Sequence, residues 1–390
     1  MMNNNQQIGS SDYSSSSSGL QQQTLQNGGS FTSLPTTSST NVSEKILFAA
    51  FNQDCSCVSI GTDSSYKVFT LDPLRKCYSQ PGGMSCVQML YSSSLLALVG
   101  AGHQASLSPR RLQLFNSSEN KAICELNFTS TILNVKLSKR RLVVVLQDKI
   151  HIFDISTMKI LRTIETDNKL GLCVLSSVPS STPTGVSGGK NDVSYLAFPS
   201  ATETGDVVLY DAINPKHIGV VKAHKSDVSI IQFNQDGTML ATASGKGTVI
   251  RIFSIPGCEL LHTLRRGSTA ARIYSISFSA DSSMVCVSSD KGTVHVFKLN
   301  QSSEKEEKEK KRTQNVGTLS DTLHNMWDTH RNFAHATVKL PENETRNICG
   351  ITPNNESLIV VSFDGYIHRF SLDTVNGGEC VLESKVKILD

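Results

Sequence analysis

Val249-Ile250-Arg251-Ile252-Phe253 is rich in β-branched residues and closes on an aromatic, the composition of a half-buried strand. Six other runs share its form: Tyr66-Lys67-Val68-Phe69, Leu112-Gln113-Leu114-Phe115, Ile150-His151-Ile152-Phe153, Val207-Val208-Leu209-Tyr210, Val294-His295-Val296-Phe297 and Tyr366-Ile367-His368-Arg369-Phe370. Their aromatics stand at 69, 115, 153, 210, 253, 297 and 370, giving spacings of 46, 38, 57, 43, 44 and 73. Four of these lie near the repeat length of a four-stranded propeller blade. The two longest hold insertions, a Ser/Pro/Gly-rich stretch over about 178–192 and a charged one over about 300–331.

Seven units predict an all-β chain folded as a seven-bladed β-propeller of divergent WD40-like repeats, which leaves no long exposed sheet edge. Each unit also carries an upstream strand, such as Leu142-Val143-Val144-Val145-Leu146 or Met239-Leu240-Ala241-Thr242-Ala243. The last unit has four candidate strands of its own, ending over 380–389, so closure does not require a strand borrowed from the N-terminal side. The usual Trp-Asp strand ending is missing, since Trp327-Asp328 is the single copy and falls in an insertion. Residues 1–43 are rich in Gln, Asn and Ser, with too little apolar content to offset ordering entropy, and are expected to be disordered. The propeller is expected over 44–390.

A net charge of +3 over 390 residues argues against nucleic acid as the partner, so any anion recognition must come from local clustering. Ten cysteines show no CxxC pair and no zinc spacing. Cys55 and Cys57 share a face of an apparent strand and read, like Cys286, as small buried hydrophobes. No stretch reaches the length of a membrane-spanning helix, and the N-terminus lacks a basic region followed by an apolar one. The chain is therefore expected in the cytosol, meeting membranes from their surface.

Leu264-Arg265-Arg266-Gly267 lies where the fifth unit ends and the sixth begins. Successive strand side chains face opposite sides, so a strand carrying both arginines would send one guanidinium into each flanking crevice. Gly267 would then give close backbone approach and freedom to turn. Around this pair, Ala241-Thr242-Ala243-Ser244-Gly245-Lys246-Gly247-Thr248-Val249-Ile250-Arg251 matches Cys286-Val287-Ser288-Ser289-Asp290-Lys291-Gly292-Thr293-Val294-His295. Each offers hydroxyls, a Lys-Gly-Thr turn and a cationic or titratable residue, a set suited to phosphate oxygens.

On these motifs, with Ile273-Tyr274-Ser275-Ile276-Ser277-Phe278, Leu96-Ala97-Leu98-Val99-Gly100 and Leu196-Ala197-Phe198-Pro199, the chain from about residue 44 resembles the PROPPINs, WD-repeat phosphoinositide-interacting proteins. Leu264, where many members have Phe, suggests the branch with a leucine-type motif. The resemblance implies two rim sites for phosphatidylinositol 3-phosphate and phosphatidylinositol 3,5-bisphosphate, and a role in autophagy and endolysosomal traffic. It assigns Thr242, Ser244, Gly247, Thr248, Arg251 and Arg265 to the first site and Arg266, Gly267, Ser289, Thr293 and His295 to the second. His224 borders the first site or is a satisfied turn histidine. His295 is given an ordinary pKa near 6.5. A sixth-blade loop anchors the membrane in that family, which points to Leu323, Met326 and Trp327 in the second insertion. Implied partners are autophagy proteins, among them a lipid-transfer protein.

Asn52-Gln53-Asp54 reads first as a turn, as in Asn234-Gln235-Asp236-Gly237, and second as a protein contact. Enzyme readings fail on context. Gly185-Val186-Ser187-Gly188-Gly189 lies in an insertion, and Gly245-Lys246-Gly247-Thr248 leads into a strand without a phosphate-binding loop's upstream glycine. No cofactor is implied. A propeller scaffold that binds proteins without lipid is the alternative.

Overall fold

The seven aromatics of the repeat all fall on the third strand of a four-stranded antiparallel meander. A computed structural model describes residues 44–104, 106–177, 193–299, 332–338 and 345–389. Among them seven sheets form the blades of a propeller, running from 46–81 for blade 1 through 84–127, 134–165, 174–222, 228–265 and 273–337 to 347–387 for blade 7. Blade 7 supplies its own four strands, so the ring closes by packing blade 1 against it rather than by exchanging a strand. Ile46, Val58, Ile60 and Phe69 of blade 1 meet Ile348, Ile359, Val361 and Ile367 of blade 7 in one core cluster. Equivalent clusters fill the space between neighbouring blades.

Both faces of a blade are covered, which explains the sequence texture of the middle strands. The second strand of blade 3, Arg141–Val145, is buried at every position, so it reads as a continuous apolar run. Outer strands alternate instead, as Lys121–Asn127 does in blade 2.

The aromatic has a structural task that its spacing alone does not reveal. The ladder between third and outer strands slips between Val68 and Phe69, and again at Phe115, Phe153, Tyr210, Phe253 and Phe370. A bulge there raises the local twist that a radial sheet needs. Blade 6 lacks the slip. Its outer strand, Ala334–Thr337, pairs only with residues 293–296 and takes a second, parallel neighbour, Gly378–Glu379, from the blade 7 segment.

One cysteine expectation is corrected. Cys57 opens a strand and is buried, but Cys55 sits in the preceding turn at φ +56°, its Sγ 3.7 Å from Ser277 Oγ. The turn needs a left-handed residue at that point, which ends the strand pattern early. All ten cysteines are free thiols. The insertions over 178–192 and 300–331 and the 1–43 extension lie outside the described residues.

Phe253 is 4% exposed and packs into the core between blades 4 and 5. Replacing it with Ala should cost about 3–5 kcal/mol, measured as a lower urea midpoint at unchanged m-value.

Candidate functional site

Blades 5 and 6 repeat one arrangement of strands and basic side chains. In blade 5 the strands Met239–Ser244 and Val249–Ser254 place Thr242 opposite Arg251. In blade 6 the strands Met284–Ser289 and Thr293–Lys298 place Val287 opposite His295. Arg251 and His295 each lie two residues before the aromatic, so they leave equivalent positions on the same face.

In blade 5, Arg251 Nη1 donates to the Ala223 carbonyl at 2.6 Å, while its buried Nε has no hydrogen-bond partner among the described residues. Thr242 Oγ1 donates to the Arg251 carbonyl at 3.3 Å, and His224 Nε2 lies 3.0 Å from the same oxygen. A hydroxyl has one proton, so the imidazole is the donor to Thr242 and carries its hydrogen on Nε2. Burial, reinforced by the Arg251 charge, pushes His224 down to about 4.

Blade 6 repeats this with an imidazole. Burial, then the nearby Arg266 and His335 charges, push His295 down to about 4. Its Nδ1 is buried without a hydrogen-bond partner among the described residues. His335 stands directly across the ladder on the outer strand. The ordinary value expected for His295 is therefore corrected: in the free protein it is neutral from pH 7.5 to pH 6.

The two arginines differ in burial, and strand alternation is not the cause. The outer strand Leu260–Arg265 of blade 5 ends with Arg265, which is exposed. Arg266 lies just past it, and its N–H still donates to the Thr248 carbonyl at 3.0 Å. Its side chain is 8% exposed and folds back, Nε donating to the Gly247 carbonyl at 2.8 Å and Nη2 to the Thr269 carbonyl. Burial lowers the Arg266 pKa, and Asp290 works the other way. Through Arg266 the two crevices share a wall, because a second-site residue holds the first-site turn.

Thr242 is fully buried and Ser289 is 1% exposed, so these hydroxyls brace the crevices from behind. Ser244, Thr248 and Thr293 are half-buried at the strand ends. Gly247 has φ +58°, and a Cβ there would meet the Ala271 carbonyl oxygen at 1.9 Å. Gly267 is the opposite case: its φ is not left-handed and a Cβ would meet nothing within 4 Å. The fold does not need a glycine at 267, contrary to the sequence reading.

Sequence reasoning missed His335, Thr269 and Asp290. Asp290 has one buried oxygen unpartnered among the described residues and the other 3.7 Å from Lys291 Nζ, so it reduces the positive charge of the second crevice. Alternation in Ala334-His335-Ala336 was the available signal for His335. Leu323, Met326 and Trp327 lie outside the described residues.

Asn52 and Asp54 are turn residues: Asn52 Oδ1 accepts from Cys57 N–H and Asp54 Oδ1 from Ser56. Gln53 adds a long-range tie, donating from Nε2 to the Met89 and Leu137 carbonyls and accepting from Tyr91 N–H. It joins the blade 1 turn to blades 2 and 3.

The PROPPIN family profile matches residues 46–389. This chain belongs to the PROPPIN family. A PROPPIN relative, autophagy-related protein 18 of Yarrowia lipolytica, is 38% identical over 90% of this chain and 98% of its own length. Kluyveromyces lactis Hsv2 superposes with a TM-score of 0.70 at 22% identity, covering 89% of this chain and all of that one. The complex of KlAtg21 with the coiled coil of AgAtg16 gives a TM-score of 0.68 at 25% identity, covering 88% and 99%.

Two outcomes follow for this PROPPIN. Gly247→Ala should lower the melting temperature by several degrees, whereas Gly267→Ala should leave it unchanged or slightly raised in calorimetry. His224 and His295 should titrate near pH 4 by imidazole NMR. Because both pKa values lie below the unfolded value of about 6.5, the unfolded chain binds more protons between these limits. Stability should therefore fall as pH drops from 6.5 towards 4, and flat urea midpoints over that range would contradict it.

Proposed function

We propose that this PROPPIN is a peripheral membrane effector that binds phosphatidylinositol 3-phosphate and phosphatidylinositol 3,5-bisphosphate through the blade 5 and blade 6 crevices and recruits autophagy machinery to forming autophagosomes. One observation carries the reading. Two neighbouring blades each bury a nitrogen of a basic side chain, Arg251 Nε and His295 Nδ1, without a partner among the described residues. An unsatisfied buried polar nitrogen is costly; Arg251 Nε–H is a donor that a phosphate oxygen would satisfy, and His295 Nδ1 is a donor once the imidazole is protonated. Arg265, exposed beside the first crevice, supplies steering charge. Arg266, already engaged with two carbonyls, acts by holding the turn and by its charge near His295.

Binding would couple to protons. A phosphate beside His295 raises its pKa from about 4, so headgroup binding takes up a proton and strengthens as pH falls towards that value.

The autophagy assignment is supported by the Yarrowia lipolytica relative's name, and a coiled-coil partner by the KlAtg21 complex. A lipid-transfer protein is the further partner proposed. The working location is the cytosol, with reversible residence on autophagosome precursor and endolysosomal membranes. No helix of the described residues is long and apolar enough to cross a membrane. The second insertion leaves blade 6 after its third strand and rejoins it before Ala334, and Leu323, Met326 and Trp327 are proposed to enter the lipid interface from there.

Co-sedimentation with liposomes of defined phosphoinositide content tests this. Arg265→Thr/Arg266→Thr should lose binding to 3-phosphoinositide liposomes, because the first change removes steering charge, the second releases the Gly247 turn, and the two sites reinforce each other on one surface. Arg265→Thr alone should weaken binding without changing the melting temperature, which separates recognition from the structural task of Arg266. In the same titration the emission of Trp327, the chain's single tryptophan, should shift to the blue with liposomes and stay put with soluble inositol 1,3-bisphosphate. Wild-type binding that ignores phosphoinositides would leave a protein-only scaffold.

A further inference from the structure

The residue two places before the third-strand aromatic is the basic group of both proposed sites. Taken round the ring, that position holds Lys67, Gln113, His151, Val208, Arg251, His295 and His368. Blade 1 therefore has a lysine where blade 5 has Arg251 and blade 6 has His295. The hydroxyls recur as well. Lys67 is paired with Ile60, and Thr62 ends the second strand two residues on, as Ser244 and Ser289 do after the partners of Arg251 and His295. Ser65 opens the third strand of blade 1 as Thr293 opens that of blade 6.

The blade 1 crevice contains an anion, and the chain itself supplies it. Glu44 Oε2 lies 2.9 Å from Lys67 Nζ, a side chain only 1% exposed. Glu44 Oε1 accepts from Thr62 Oγ1 at 2.6 Å, from Ser64 Oγ at 3.0 Å and from Ser65 Oγ. Lys67 also donates to the Ile388 carbonyl of blade 7 at 3.3 Å. Burial works against the Glu44 charge, but hydrogen bonds from Ser65, Thr62, Lys67 and Ser64 outweigh it and hold the carboxyl at about 2. Blade 7 follows the same rule with a closer acid: Ser362 Oγ donates to Asp364 Oδ1 and lies 3.3 Å from His368 Nε2. Thus blades 1 and 7 carry internal carboxylates, while Arg251 Nε and His295 Nδ1 of blades 5 and 6 lack partners among the described residues.

We propose that the blade 1 crevice is a third oxyanion pocket of this propeller, that Glu44 is its built-in occupant, and that it takes a phosphate group once that carboxylate is removed. Three hydroxyl donors and one buried ammonium group make a shell that fits a phosphate monoester as well as a carboxylate. Glu44 thereby confines phosphate recognition to blades 5 and 6. A single orientation on a phosphate-bearing surface follows, because the third pocket does not compete.

The test compares the full-length wild type, Glu44→Ala and Glu44→Ala/Lys67→Met. Any anion binding at blades 5 and 6 is common to all three and cancels. Thermal unfolding is followed with inorganic phosphate, ionic strength being held constant with chloride. Glu44→Ala should melt below wild type in chloride, because the buried Lys67 loses its carboxylate partner at 2.9 Å. Phosphate should restore it saturably, with a melting shift at least about twice that of wild type. The double variant should respond no more than wild type. Equal phosphate shifts in all three chains would overturn the proposal. If Glu44→Ala does not fold in chloride, refolding from urea reads the same property. Recovery in phosphate alone supports the pocket, and failure in both salts while the double variant refolds refutes it. A second arm uses vesicles carrying phosphatidylinositol 3-phosphate. Greater retention of Glu44→Ala than of wild type identifies a pocket open to a lipid headgroup, and a response to inorganic phosphate alone identifies one open only to the free anion.

Discussion

Every sheet in this protein must bury both faces, and only a closed ring lets all seven do so at once. The decisive contact is therefore the seam between blade 1 and blade 7, where chain segments about 300 residues apart in sequence meet without sharing a strand. Apolar packing of Ile46, Val58 and Ile60 against Ile348, Ile359 and Val361 supplies the area. Polar groups fix the alignment: Arg369 Nη1 donates to the Leu71 carbonyl at 3.2 Å, and Lys67 donates to the Ile388 carbonyl. Hydrophobic area is indifferent to small slips, whereas these hydrogen bonds are not.

The same radial geometry makes the rim crevices. Neighbouring third strands diverge outward, and the turns that begin them cluster on one side. The basic side chain two residues before the aromatic is half-buried at Arg251 and His295 and buried at Lys67 and His368. The position differs from blade to blade: Gln113 and Val208 stand there in blades 2 and 4, and Lys67 of blade 1 meets the Glu44 carboxylate. Arg266 adds a connection between blades 5 and 6, because its hydrogen bonds to Gly247 and Thr269 carbonyls make the turn of one crevice depend on a residue of the other.

The repeat was legible because the aromatic keeps its place on the third strand of every blade, even where an insertion stretches the spacing to 57 or 73. Other features were hidden for physical reasons. Ala334–Thr337 is four residues of small and polar side chains after a long insertion, too short for a periodic signal, and Gly378–Glu379 is shorter still. The split between Arg265 and Arg266 was legible, but its cause was not, since the strand stops one residue early and Arg266 bends back. Burial set the His224 and His295 pKa values, and burial follows from the packing of neighbouring blades. Glu44 was obscured by position, at the edge of a low-complexity segment where a single acid attracts no notice.

The parallel pairing of Gly378–Glu379 with the outer strand of blade 6 has a mechanical meaning. Phe333, just ahead of that strand, already donates its N–H to the Val296 carbonyl at 2.7 Å. A four-residue edge strand held along one side peels away one hydrogen bond at a time. Here the other side is fastened as well: Gly378 N–H donates to the Phe333 carbonyl at 3.1 Å and Cys380 N–H to the His335 carbonyl at 2.8 Å. Detachment would have to break both rows together, so the position of His335 opposite His295 is held from two blades.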